Sequence, residues 1–278
     1  METPNIFDLG LQADLKMAAQ SPITRRQVLK LGAFGLVAFL ASCAPVASTP
    51  TSSSSSTSSG ESSDACVSEI PEETAGPYPA DGSRASNQTL NALALAGIVR
   101  QDIRTSLGTG NTAPGIPITI EMTLVNTNDN CAPLAGYAVY AWHCTREGDY
   151  SMYSQGVTDE DFLRGVQVSD SEGKLSFTSI FPGCYSGRWP HVHFEVYPSL
   201  EQATGSNNVV HTSQMALLED VCQTVYETDG YETSARNLPG ITLATDNIFS
   251  DGYEQQMATM SGDVANGYVA KLTVGVAV

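Results

Sequence analysis

His191-Val192-His193 sets two imidazoles one residue apart. Successive side chains of a β-strand point to opposite faces, so both rings project from one face and can grip a single metal ion. Val192, Phe194 and Val196 form an apolar stripe on the other face, which puts the core behind the histidines and leaves them beside Glu195 and Tyr197. A histidine serving the core would share the apolar face. The pair therefore reads as part of a metal site rather than as a solvated His-x-His. Two histidines leave such a site incomplete. Tyr185 stands upstream in Pro182-Gly183-Cys184-Tyr185-Ser186-Gly187-Arg188-Trp189-Pro190, where a Pro-Gly turn can fold the chain back toward the histidine strand. Tyr150 and Tyr153 follow the apolar run that ends in Trp142-His143-Cys144.

Strands and long loops must position these residues. Ile118, Ile120, Met122 and Leu124 alternate with Thr119, Glu121, Thr123 and Val125, the pattern of a strand with one buried face. Tyr137 to Cys144 is apolar on both faces and predicts an interior strand, while Leu175 with Phe177 and Tyr268, Ala270, Leu272 and Val274 supply others, the last closing the chain. Helical periodicity is scarce, with Glu219 to Tyr226 and Asp251 to Met260 as short candidates. The expected class is all-β, a sandwich of mainly antiparallel strands with few short helices. Its long loops, Arg146 to Gln167 and Ser199 to Thr212, are the places where a site is built.

The first quarter of the chain has a different composition. Thr24-Arg25-Arg26-Gln27-Val28-Leu29-Lys30 is a twin-arginine export pattern, and the apolar run Leu31 to Leu40 is too short to span a bilayer comfortably. Leu40-Ala41-Ser42-Cys43 resembles a lipoprotein box, in which Cys43 is lipidated and becomes the new N-terminus. The expected organisation is a signal peptide over residues 1–42, a lipidated cysteine with a Ser/Thr-rich tether over 43–65, and a folded domain over 66–278. The expected location is the outer side of the cell envelope, with membrane contact only through the anchor at Cys43. A twin-arginine route carries proteins already folded, which suits a metalloprotein.

Removal of residues 1–42, with four Lys or Arg and three Asp or Glu, takes the formal charge from −17 to −18. So acidic a chain argues against nucleic acid and against adhesion to anionic lipid. With Cys43 assigned to lipid, Cys66, Cys131, Cys144, Cys184 and Cys222 remain; five is odd, so one chain closes at most two disulfides. The connectivity is open. No Cys-x-x-Cys pair is present to suggest a zinc site.

The pattern Gly-x-Tyr-x-x-Arg-x-x-His-x-His over residues 183–193 resembles the metal-site segment of the intradiol ring-cleavage dioxygenases. Glu73-Thr74-Ala75-Gly76-Pro77-Tyr78-Pro79 resembles that family's N-terminal signature. The run from Trp142-His143-Cys144 to Gly148-Asp149-Tyr150-Ser151 resembles the region of its first tyrosine ligand, and Thr212-Ser213-Gln214 the strand that donates a pocket glutamine. The resemblance implies a mononuclear non-haem Fe(III) held by Tyr150, Tyr185, His191 and His193, with Tyr153 as the alternative to Tyr150 if the loop register differs. Metal-bound phenols lose their protons well below their free pKa of ~10, and two phenolates with one hydroxide balance the charge of ferric iron.

The implied reaction is cleavage of a catechol-type ring by O2, between its two hydroxylated carbons, to a muconate-type diacid. Tyr185 gives way to substrate, Arg188 stabilises charge developing on the ring, Gln214 donates a hydrogen bond in the pocket, and Tyr78 lines the entrance. His143 and His211 match no ligand position and are read as a strand and a loop residue. Cys144 and Cys184, each near a proposed ligand tyrosine, are candidates to pair with each other. The family's helical N-terminal region that joins subunits has no counterpart here, so its dimerisation is not carried over. The rival reading is a lipid-anchored β-sandwich that binds a ligand or cell-wall component, with a non-catalytic metal site.

Overall fold

The computed structural model describes residues 66–85 and 90–278. The twin-arginine pattern, the apolar run after it, Cys43 and the Ser/Thr-rich tether lie outside the described residues. Nine strands are described: β1 (Pro117–Asn126), β2 (Ala132–Pro133), β3 (Ala138–Trp142), β4 (Arg164–Val168), β5 (Lys174–Ile180), β6 (His191–Tyr197), β7 (His211–Ala216), β8 (Thr259–Asp263) and β9 (Gly267–Val276). Between β7 and β8 lie two short helices, α1 (Glu219–Tyr226) and α2 (Glu232–Asn237). Among the described residues no helix is long and apolar enough to cross a membrane.

The strands form two sheets, and the all-β sandwich expected from the alternation is the fold observed. In one sheet β1 pairs in parallel with β9 along one edge and antiparallel with β5 and β2 along the other, while β8 flanks β9. The other sheet runs β4-β3-β6-β7, all antiparallel. The main core lies where Ile118, Ile120, Met122 and Leu124 of β1 meet Val139 and Ala141 of β3 and Val192, Phe194 and Val196 of β6. These are the alternate positions that the period-two pattern marks.

The outer face of the β4-β3-β6-β7 sheet is also buried. Ala80, Ala92, Leu93 and Ile98 pack there with Ala138, Tyr140, Trp142 and Tyr197, joined by Tyr150 and Tyr185. The histidine face of β6 is therefore enclosed by a second apolar layer rather than open to water. Strand β3, apolar on both faces as expected, is hydrogen-bonded on both edges and buried throughout.

Several local expectations are corrected. Asp251 to Met260 is not a helix: a single 3-10 turn ends at Asp251, Gly252 takes φ of 138°, and the chain runs on to β8. His211 is not a loop residue but opens β7, paired with Val196; the polar run is held as a strand because Ser213 and Gln214 donate to the carbonyls of Pro71 and Thr74 in the N-terminal segment. His143 lies one residue beyond β3. Cys144 and Cys184 are both free and buried, so they do not pair; the disulfide joins Cys66 to Cys131, and Cys222 is also a buried free thiol. The Cys144 sulfur faces the Gly183 carbonyl at 3.4 Å and the Cys184 sulfur the Arg188 carbonyl at 3.5 Å.

Candidate metal centre

Strand β6 fixes the histidines. His193 sits between Trp142 of β3 and Gln214 of β7 in register, and Trp142 stacks on its ring at 5.0 Å with only 4° between the planes. His191 donates from Nδ1 to the Trp189 carbonyl, which leaves its lone pair on Nε2. The two Nε2 atoms stand 3.0 Å apart. Burial, with the charge of Arg188 added, holds both imidazoles well below the usual histidine range, so they are neutral.

Tyr185 and Arg188 occupy the two ends of one turn. The Arg188 amide donates to the Tyr185 carbonyl at 3.3 Å, and Gly187 between them has φ of 82°, a conformation that glycine adopts without a Cβ penalty. Four side chains outside the sheets brace the segment just before this turn. Tyr231 and Tyr226 donate to the carbonyls of Phe181 and Pro182, Ser234 accepts from the Cys184 amide, and Asn237 donates to the Cys184 carbonyl. A second loop is pressed against the first at Gly183, whose amide donates to the Thr145 carbonyl at 3.0 Å. A Cβ there would stand 2.5 Å from the Arg146 carbonyl oxygen. This contact brings the loop of Tyr150 to the turn of Tyr185.

Tyr150, Tyr185, His191 and His193 are thus brought together. Tyr185 places its hydroxyl 3.5 Å from His191 Nε2, and the Tyr150 ring lies 5.8 Å from that of Tyr185 and 6.2 Å from that of His193. The Tyr150 hydroxyl is buried, and what it has beside it is the Tyr185 hydroxyl. Burial, with Tyr185 and Cys144 nearby, raises its pKa well above the ordinary phenol value, against the pull of Arg188. Tyr153 points elsewhere: its hydroxyl accepts from the Ala80 amide at 2.8 Å. Tyr78 stacks on Tyr150 at 4.9 Å and meets Tyr153 edge-on at 5.2 Å, which covers the tyrosine pair from the N-terminal segment.

Arg188 is fully buried, donating from Nε to Asp246 at 3.0 Å and from Nη2 to Gln214 at 2.5 Å. Gln214 is committed at both ends, since its Nε2 donates to the Thr74 carbonyl at 3.1 Å. It orients Arg188 through its carbonyl oxygen, and the bond to Thr74 uses one of the two N–H groups of its amide. Asp246 is a site residue that the motifs do not mark. One of its oxygens also accepts from the Trp189 amide at 2.7 Å, and the other from the amides of Ile248 and Phe249. Its only local signal is an aspartate just before an apolar Ile-Phe pair in a polar loop. His143, with its nitrogens on the Cys144 carbonyl and Ser179 Oγ, takes no part in the cluster.

Among the described residues no group of three His, Cys, Asp or Glu gathers to hold a metal ion; the donors gathered here are two imidazoles and two phenols. The spacing suits one ion. Imidazole nitrogens bind zinc at about 2.1 Å, so two of them at right angles on one ion stand about 3 Å apart. The buried Tyr150 hydroxyl supplies the independent sign. A phenol buried with little but a second phenol beside it is costly, and a cation removes that cost by taking the phenolate.

Residues 92–197 match the family model Dioxygenase_C, described as a dioxygenase, a stretch that contains all four of these residues and Arg188. A chlorocatechol 1,2-dioxygenase of Rhodococcus opacus is 38% identical over 53 residues, 19% of this chain and 21% of that protein. One from Pseudomonas sp. (strain P51) is 32% identical over 26% of this chain and 35% of that protein. The matches therefore span about a fifth and a third of these relatives' own length. An intradiol ring-cleavage dioxygenase structure from Tetranychus urticae superposes with a TM-score of 0.59 at 23% identity, covering 76% of this chain and 95% of that one, a likeness of fold. The resemblance to intradiol dioxygenases read from the motifs is borne out by the family match and by the fold.

Proposed function

We propose that the protein is a non-haem Fe(III) intradiol dioxygenase that opens a catechol-type ring with O2 between its two hydroxylated carbons and releases a muconate-type diacid. The observation that carries this reading is the gathering of the buried Tyr150 hydroxyl, the Tyr185 hydroxyl and the two histidine Nε2 atoms in one cluster. Tyr150, Tyr185, His191 and His193 hold the ion. Ferric iron bound there would supply a Lewis acid that makes a catechol ring reactive toward O2.

The chain's own residues supply the rest. His191 is held with its lone pair on Nε2 by the Trp189 carbonyl, and the Trp142 stack fixes the plane of His193. Tyr185, at 7% the most exposed of the four, sits on a turn and would be the base that takes up a substrate proton at its phenolic oxygen. Arg188, kept rigid by Asp246 and Gln214, lends its charge to the ring carbon that becomes negative. Tyr78 and the apolar layer around it exclude water from the reacting ring.

We also propose that the chain leaves the cytoplasm by the twin-arginine route and is anchored by lipid at Cys43. The order of Arg25-Arg26, apolar run and small residues before Cys43 supports this, and so does the Cys66–Cys131 disulfide, a bond of oxidising compartments. Mass analysis of the mature N-terminus tests it; an unmodified Cys43 in the membrane fraction would rule out the anchor.

The function is tested with full-length protein purified from iron-replete cells. The expected preparation contains one iron per chain, is red to burgundy from tyrosinate-to-iron charge transfer, and consumes O2 with a catechol while forming a diacid. A colourless, iron-free protein would favour a ligand-binding sandwich. Iron-loaded protein inactive across a broad catechol panel would defeat the enzyme reading.

A further inference from the structure

Arg164, on β4, is 0% exposed, as deeply buried as any charge in the described chain, and no carboxylate is among its hydrogen-bond partners. Its fork is nevertheless fully used. Nε donates to Ser151 Oγ at 3.0 Å, Nη1 to the Pro79 carbonyl at 3.0 Å and the Tyr140 hydroxyl at 3.1 Å, and Nη2 to the carbonyls of Tyr78 and Ser151 at 3.0 Å each. A guanidinium has five N–H groups, and here each has an acceptor. The guanidinium carbon also lies 5.5 Å from the centre of the Tyr153 ring.

Apart from the Tyr140 hydroxyl on β3, the acceptors belong to two segments far apart in sequence. Tyr78 and Pro79 lie in the N-terminal segment, and Ser151 follows Tyr150 directly. Both segments hold a non-glycine residue in left-handed backbone just past a carbonyl that Arg164 grips: Ala80 with φ of 50° after Pro79, and Met152 with φ of 69° after Ser151. Such conformations persist only where the surroundings over-determine them. A buried charge served by neutral oxygens alone is costly, and a lysine, with three donors on a point charge, cannot reproduce the planar fork.

We infer that Arg164 is a positioning residue that clamps the Tyr78–Pro79 and Tyr150–Ser151 segments to each other, and so fixes where the Tyr150 hydroxyl stands. Its consequence for iron rests on the function proposed above, but the clamp itself does not. The test is amide hydrogen exchange by mass spectrometry on metal-free, full-length Arg164→Lys, following residues 78–82 and 150–154 with residues 118–124 of β1 as reference. Both segments should exchange roughly tenfold faster, together, while β1 keeps its protection. Unchanged exchange, or a change in one segment alone, overturns the clamp.

Should β1 also lose protection, Ser151→Ala, which keeps the guanidinium and removes one acceptor, takes over. The change lies in one segment, and the inference requires exchange to quicken in the other, at residues 78–82; no effect there overturns it. In the iron-loaded Arg164→Lys protein the visible charge-transfer band should shift and iron affinity fall by roughly tenfold. If native protein takes up no iron, the proposed function fails, and the exchange data still judge the clamp.

Discussion

Strand β6 presents two faces that are buried alike. Val192, Phe194 and Val196 on one side and His191, His193, Glu195 and Tyr197 on the other are all no more than 2% exposed. What separates them is how each group is satisfied. On the core face, removal from water is itself the gain, and nothing further is required of the neighbours. On the other face every polar atom needs a partner. Glu195 receives the Tyr197 hydroxyl at 2.7 Å and His191 Nδ1 finds the Trp189 carbonyl, but His193 Nδ1 finds none and the nearby Tyr150 hydroxyl has only Tyr185 beside it. Exposure alone would call both faces core; the unmet polar atoms mark one of them as a site.

Substitution on the site side should separate function from stability most widely. Tyr150→Phe removes the buried hydroxyl and nothing else. Iron uptake and catechol-dependent oxygen consumption should fall by ~100-fold or more, since even an outer-shell partner of a metal ligand is worth about 10–100-fold. Thermal unfolding of the metal-free protein should show little loss of stability, because a buried hydroxyl with only a second phenol beside it carries a desolvation cost of about 1–3 kcal/mol that phenylalanine does not. A clearly lowered melting temperature would mean that the hydroxyl has a protein partner, and the contrast between the faces would weaken.

The core side should answer in the opposite way. Phe194→Ala is expected to cost about 3–5 kcal/mol in denaturant unfolding, through lost burial and the cavity left between the sheets. The fraction that remains folded should bind iron with unchanged stoichiometry and colour. Colour lost in step with nothing but the folded fraction would sharpen the comparison, whereas a bleached yet folded variant would break it.

Between these extremes stands Asp246, which is as buried as the core yet belongs to the site. Asp246→Asn removes the buried carboxylate that accepts from Arg188 Nε and should lower stability by about 2 kcal/mol. It should reduce the turnover rate more than substrate affinity, because Arg188 is asked to act on charge that develops during reaction. Equal changes in kcat and KM would instead assign Arg188 to substrate binding.

The sequence made the strands legible and the partners much less so. Period-two alternation marks β1 and β6 because the sandwich buries one apolar stripe from each, and the segment Glu219–Tyr226 is helical over those same residues. The cluster of Tyr150, Tyr185, His191 and His193 is legible because its parts lie in short motifs. Asp246, by contrast, is separated from Arg188 by 58 residues, and the pair leaves no local trace. Arg164 is hidden for a similar reason: its acceptors are mostly backbone carbonyls, which any residue supplies. The pairing of Cys144 with Cys184 failed because nearness of two loops, held by Gly183 against Arg146, does not aim two sulfurs at one another. The Asp251 to Met260 helix failed at Gly252, whose backbone angle no helix admits.

The smallest expected effect concerns the carboxyl on the site face of β6. Burial, with Asp81 close by, raises Glu195 from 4.5 to about 8, against the opposing hydrogen bond from Tyr197. In the unfolded chain this group loses its proton near its ordinary value, while the folded protein keeps it. The contribution to stability is therefore fully present below pH 4.5 and is lost as pH rises toward about 8. Glu195→Gln, which stays neutral, should remove that part of the pH dependence. The difference in unfolding midpoint between variant and native protein, both metal-free, should grow in the variant's favour from pH 5 to pH 8. A difference that stays flat over this range would show that Glu195 is already ionised in the folded state, its charge met on the site face by donors beyond the Tyr197 hydroxyl.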